Sequence, residues 1–217
     1  HTFGQSTLLA LRLIEAGVKL VTVYCHRETP TVDASWDTHW LNNQELRNRL
    51  MPVVDRPIAA LLEDLESSGL LDETLVIWNS EFGRSPRFNQ FGGRDHWGPC
   101  NSVVMAGGGI PGGQIYGASD AQAAYPISEK VTQDDIAATV YHLLGIEPET
   151  LIQDKLGRPY PVALGEPIHK LLGNRARPEP APAPLPRLKK PQIGRFTQML
   201  RERGLRYLTL DFGNPDS

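Results

Sequence analysis

Apolar residues crowd the start of the chain at helical spacing, with Leu8, Leu9, Leu11, Leu13 and Ile14 in a segment that ends at Gly17, a residue suited to a left-handed cap. The run from Val18 to Cys25, VKLVTVYC, is short, β-branched and almost uncharged, so it predicts a strand covered on both faces. From Gln44 to Ser68 leucine and isoleucine again recur at helical intervals up to Gly69, although Pro52 and Pro57 must start, kink or divide that helix. Thr74 to Asn79 and Ser102 to Ala106 read as further buried strands, and Gln133 to Leu144 as an amphipathic helix closed by Gly145. Alternation of strands and helices predicts a layered α/β domain with a mainly parallel sheet. Its functional loops are then expected beyond the carboxyl ends of the strands.

After Gly173 the pattern breaks. Prolines at 178, 180, 182, 184, 186 and 191 predict an extended linker over residues 174–191. A short helix from Gln192 to Arg203 and the apolar Tyr207 to Phe212 segment make up a tail over 192–217, while 1–173 forms the main domain. The chain opens on His1 and enters a helical pattern almost at once, which suggests an amino-terminal truncation.

Composition narrows the function classes. With 217 residues, 40% of them hydrophobic and 22% charged, the chain can bury an ordinary core. A net charge of -3, with basic residues scattered except near Arg187 to Lys190, gives no footprint for nucleic acid. No apolar run reaches the roughly 20 residues of a membrane span. Cys25 and Cys100 are compatible with two thiols or one disulfide.

The chemistry gathers where these patterns are interrupted. TVDASWDTHW carries Asp33, Asp37 and His39, and the single residue between Asp37 and His39 lets both side chains point the same way in an extended loop. The plainer alternative is a solvated loop anchored by Trp36 and Trp40. Glu81 follows the second apolar run in SEFGR, where a buried carboxylate would need either a cation or an arginine such as Arg84. The third set is GRDHW, with Arg94, Asp95 and His96 just before a strand. An acid or imidazole after two strands and before a third suggests convergence on a divalent cation. Competing motifs lack their context. GGGIPG at Gly107 to Gly112 is not followed by a helix, and no phosphate-loop lysine and serine pair or nucleophile elbow is present.

With FGQSTLLALRLIEAGV, WDTH, LLEDLESSGLLDETLVIWNSEFGR, GRDHW, VVMAGGG, DDIAATVYHLLGI and GRP, the chain resembles the domain-of-unknown-function family 1501 from about His1 to Leu172. That family is a sulfatase-like branch of the alkaline phosphatase superfamily. The resemblance implies the carboxyl-terminal part of an alkaline-phosphatase-like layered domain, with the first strand and the nucleophile lying before His1. It implies divalent metal ions, zinc ahead of calcium or manganese. Asp37, His39 and His96 resemble the ligands of one metal and Glu81 an acidic ligand of another, with Asp95 ligating or orienting His96. Arg84 or Arg94 would bind non-bridging oxygens. The superfamily has Asp-His where this chain has Glu81-Phe82, so one imidazole ligand is absent. The implied activity is hydrolysis of small-molecule or glycan phosphate or sulfate esters in an extracytoplasmic setting reached by twin-arginine export. A non-catalytic, metal-stabilised binding or surface module of the same fold is the alternative.

Overall fold

A computed structural model describes residues 2–25 and 36–172 and the backbone of 207–210. The linker and tail helix expected over 174–203, and Asp33, lie outside the described residues. The chain is divided into two compact units. One contains the described residues of 2–70 and 87–95 with the strand at 207–210, and the other contains 71–86 and 96–172.

In the first unit, α1 (Thr2–Glu15) leads through Gly17, at φ 82, into β1 (Leu20–Val23). The second helical stretch has three parts: α2 (Asn42–Glu45), a wider π turn over Leu46–Leu50, and α3 (Met51–Ser67). The π turn ends two residues before Pro52. In an unbroken α-helix the ring of Pro52 would crowd the carbonyl of Asn48, four residues back. Pro57 is accommodated inside α3. Leu50, Val54 and Leu65 lie along one side of this stretch and are buried together with Ala10 and Leu11 of α1. Gly4 allows close approach, since a Cβ there would stand 3.5 Å from Cγ of Pro57. Ser6 and Thr7, buried in α1, satisfy their hydroxyls on the carbonyls of Thr2 and Phe3. β1 pairs in parallel with β10 (Tyr207–Leu210), in register from Leu20 opposite Tyr207 to Val23 opposite Leu210.

The second unit contains β2 (Leu75–Trp78), β3 (Gly83–Arg84), β4 (His96–Trp97), β5 (Val104–Gly107), β6 (Ala118–Ser119), β7 (Pro126–Ser128), α4 (Gln133–Leu143), β8 (Leu151–Gln153), β9 (Pro159–Pro161) and α5 (His169–Leu172). Its strands form antiparallel pairs, β2 with β5, β3 with β4, β6 with β7 and β8 with β9. The mixed α/β composition is therefore present. The mainly parallel layered sheet is not, because among the described residues β1 and β10 are the only parallel pair. Nor are the strands covered on both faces. Ile77, Trp78 and Val104 are more than a third exposed, since β2 and β5 have only each other as described neighbours. Among the described residues no helix is long and apolar enough to cross a membrane.

The start of α4 shows how polar groups hold this unit together. Thr132 caps the helix: its hydroxyl accepts from the Asp135 amide, and the Asp135 carboxylate accepts from the Thr132 amide at 2.8 Å. The other Asp135 oxygen accepts from the Glu166 amide at 3.0 Å, tying the segment before α5 to the helix. One turn on, the fully buried Thr139 donates to the Asp135 carbonyl and accepts from the Ile168 amide. These donors, the Thr132 amide foremost, hold the Asp135 carboxyl below its ordinary range. A lowered folded pKa stabilises the fold above the unfolded value, near 4, and that contribution disappears as pH falls through the folded one. Asp135→Ala is expected to cost about 1–2 kcal/mol at neutral pH. It should also make the urea midpoint less sensitive to acidification below about pH 4 than in the parent, and an equally steep acid loss would contradict the role.

Candidate metal centre

The first unit brings together two loops that are 50 residues apart in sequence, as the bond from Asn89 to the His39 carbonyl shows. The 36–41 loop and the 88–95 loop are joined by backbone bonds from Arg94 to the Thr38 carbonyl, Leu41 to Phe91 and Asn42 to Gly92. Thr38, buried, donates its hydroxyl to the side-chain oxygen of the equally buried Asn42. Gly93 passes so close to the first loop that a Cβ on it would lie 1.8 Å from the His39 carbonyl oxygen. Only a residue without a side chain fits there.

This contact places His39 between two carboxylates. Its Nε2 is 3.0 Å from Oδ1 of Asp37, and its Nδ1 is 2.9 Å from Oδ1 of Asp95. The side chains are 43% exposed at Asp37 and 57% at Asp95, so solvent reaches both acids, while His39 is the more enclosed at 29%. An ionised carboxylate only accepts, so the Asp95 contact requires the Nδ1 proton. Nε2 then faces Asp37 either as a second N–H, on a charged ring, or as a lone pair. Two lone pairs 3.0 Å apart repel unless a cation lies between them, and zinc ligands at about 2.0–2.1 Å in tetrahedral geometry stand about 3.3 Å from one another.

Asp95 was expected to ligate or to orient His96, and the partners described for it are His39 and Asn89. The chain passes into the second unit at the next residue. That residue is His96. In β4 it stands in register opposite Arg84 of β3, so the two side chains share a face of the ribbon. The Phe82 ring packs on the His96 imidazole with centroids 4.2 Å apart. At the position where the resemblance led to an imidazole, an aromatic ring steadies one instead. Gly83 permits this strand to run against the next turn, since a Cβ would meet the Cys100 carbonyl at 1.9 Å.

Within the first unit, Asp37 and His39 offer one carboxylate and one imidazole to a metal ion. Glu81 is not in that group. It is exposed in the turn after β2, so the burial that would have demanded a cation or an arginine beside it is not found. The two arginines differ in setting. Arg94 lays its guanidinium over the Phe88 ring at 4.3 Å, while Arg84 is 5.9 Å from the Phe82 ring centroid, on the ribbon face it shares with His96. Cys25 and Cys100 are free thiols, and Cys25 accepts from the Trp36 indole at 3.3 Å.

Residues 1–172 match the model of a protein family of unknown function, DUF1501. The chain belongs to the DUF1501 family. No curated protein and no solved structure matches it.

A DUF1501 residue that the sequence pattern did not single out is Asn89. Its side-chain oxygen accepts from the amides of Phe91 and Gly93, and its amide nitrogen donates to the His39 carbonyl and the Asp95 carboxylate, each at 3.0 Å. An asparagine ahead of a glycine pair signals a turn in which the side chain bonds its own backbone two residues on. Nothing in that signal reveals the bond to Asp95.

Proposed function

We propose that this DUF1501 chain contributes a divalent-cation site to a hydrolase of phosphate or sulfate esters, with Asp37 and His39 as ligands and His96 assigned to it by the family resemblance alone. The observation that carries the reading is His39 itself, with Nδ1 committed to Asp95 and Nε2 beside Asp37. A metal-ligating histidine typically donates its remaining N–H to a carboxylate in this way. Zinc suits a donor set of one carboxylate and two imidazoles better than calcium or manganese does. When bound, such an ion supplies Lewis acidity toward an ester oxygen. Arg84, sharing a ribbon face with His96, is assigned to the non-bridging oxygens, whose paired geometry matches a guanidinium fork. The attacking group is not assigned to any residue of this chain. The extracytoplasmic location implied by the family resemblance belongs to the same proposal.

The packing of Phe82 on His96 favours a second reading, a metal-stabilised module without turnover, because an apolar ring stands beside the ligand. Metal content of the purified protein, with rates on 4-nitrophenyl phosphate and 4-nitrophenyl sulfate, separates the two. Hydrolysis that falls at least about 100-fold in both Asp37→Ala and His96→Ala supports the enzyme. Bound metal without turnover of either ester supports the module, and undiminished activity in both variants sinks the metal-hydrolase reading.

A further inference from the structure

The side chain of Asn89 has two acceptor lone pairs and two N–H donors, and each finds a partner. Phe91 N and Gly93 N lie 2.9 and 3.0 Å from its Oδ1. The His39 carbonyl and Oδ1 of Asp95 each lie 3.0 Å from its Nδ2. Both donor contacts are to pure acceptors and both acceptor contacts are from backbone N–H groups, so the amide orientation is set by its neighbours. The backbone adds two bonds within the same turn, Asn89 N to the Gly93 carbonyl and Gly92 N to the Asn89 carbonyl.

We infer that Asn89 is the positioning residue of the cation site: its amide pins Asp95 against Nδ1 of His39, so that Nε2 is presented beside Asp37. The inference rests on the metal reading for its purpose, but not for its geometry. Asp95 is 57% exposed. The shared contact at its Oδ1, from Asn89 at 3.0 Å and from His39 at 2.9 Å, selects one orientation. The same amide grips the carbonyl of His39, so ring and carboxylate are held from one point. Asn89 does not itself touch the cation position; it acts through Asp95 and through the His39 backbone.

Asn89→Asp is the discriminating substitution. It keeps the shape and the acceptors for Phe91 N and Gly93 N, and it replaces the donor facing Asp95 with an oxygen. Zinc affinity of the intact protein, measured by competition with a chromophoric chelator, is expected to weaken roughly 10–100-fold, the range found when the partner of a ligating histidine is lost. The second readout needs no metal. Long-range ¹H–¹⁵N correlation on the metal-free protein should show a proton on Nδ1 of His39 in the parent, and a smaller Nδ1-protonated fraction in Asn89→Asp. A merely structural asparagine would alter the melt without moving the Nδ1 proton.

Should Asn89→Asp fail to fold, Asp95→Ala removes the acceptor itself with the loop amides untouched, and it too is expected to release the Nδ1 proton. Where both single variants fold, their effects on zinc affinity should not add, since both break one contact. An unchanged Nδ1 proton in a folded Asn89→Asp or Asp95→Ala protein overturns the inference. If the parent binds no zinc, the metal reading falls, while the Nδ1 proton still decides the role of Asn89.

Discussion

Stripping the divalent cation with a chelator is expected to lower the melting temperature of the protein by roughly 5–10 °C, and His39→Ala is expected to erase that difference. An ion present at about 100 times its dissociation constant stabilises the folded state by about 2.7 kcal/mol. For a domain of this size 1 kcal/mol corresponds to about 2–4 °C. His39 is the right residue to remove because both of its ring nitrogens are engaged, Nε2 at 3.0 Å from Asp37 and Nδ1 at 2.9 Å from Asp95. The alanine variant loses the ligand and with it the reason for Asp95 to face inward. Its zinc affinity should drop by more than the roughly 100-fold at the upper end for outer partners. The metal-free variant should still fold close to the parent, because Asp37 and Asp95 are 43% and 57% exposed and their charges pass to solvent. Thermal scans with chelator and with added zinc decide it. A zinc-induced shift as large in His39→Ala as in the parent would remove His39 from the site.

How much of this arrangement is legible in the sequence depends on the kind of information each feature requires. Helix positions are local, and the pattern of apolar residues with terminal glycines places α1, α3 and α4 close to where they lie, with Gly17, Gly69 and Gly145 at positive φ after them. Strand direction is not local. The apolar run at β2 is equally compatible with a parallel or an antiparallel neighbour, and only its register with β5, Leu75 opposite Gly107 and Trp78 opposite Val104, shows the latter. Half-exposed apolar strands likewise look the same as fully covered ones in sequence, because composition reports what a strand can bury and not what lies beside it.

The candidate site divides in the same way. WDTH and GRDHW stand out by composition, and the structure joins Asp37, His39 and Asp95 of these motifs through the His39 ring. What spacing could not supply was the identity of the contact: Asp95 seemed suited to the neighbouring His96, yet it reaches back to His39 across the loop pairing. Glu81 follows an apolar run, which points to burial, and its exposure removes the electrostatic need for a counter-charge. Asn89 has no such signature, since its four side-chain hydrogen bonds exist only after the loop has closed.

The adjacent glycines of GGRDHW offer the sharpest test of that loop closure, for they are equivalent in sequence and opposite in structure. Gly92 has φ 66 and nothing within 4 Å of the place a Cβ would occupy. Gly92→Ala therefore pays only for a left-handed backbone, about 1–2 kcal/mol, and the loop should keep its shape and its zinc affinity. Gly93 is buried, and a Cβ there would fall 1.8 Å from the His39 carbonyl oxygen, 1.9 Å from its carbon and 2.5 Å from the Trp40 nitrogen. These are backbone atoms that cannot rotate away, so the two loops must separate. Separation breaks the bond from Arg94 to Thr38 and the bond from Asn89 to the His39 carbonyl, each 3.0 Å long, and draws Asp95 away from His39. Gly93→Ala is expected to cost at least the roughly 1–3 kcal/mol of an overpacked interior, and to lose zinc binding even where the rest of the chain stays folded. Melting temperature and zinc affinity measured together on the two alanine variants decide the matter. Equal losses in both, or zinc affinity retained in Gly93→Ala, would mean that the close approach at Gly93 does not build the site.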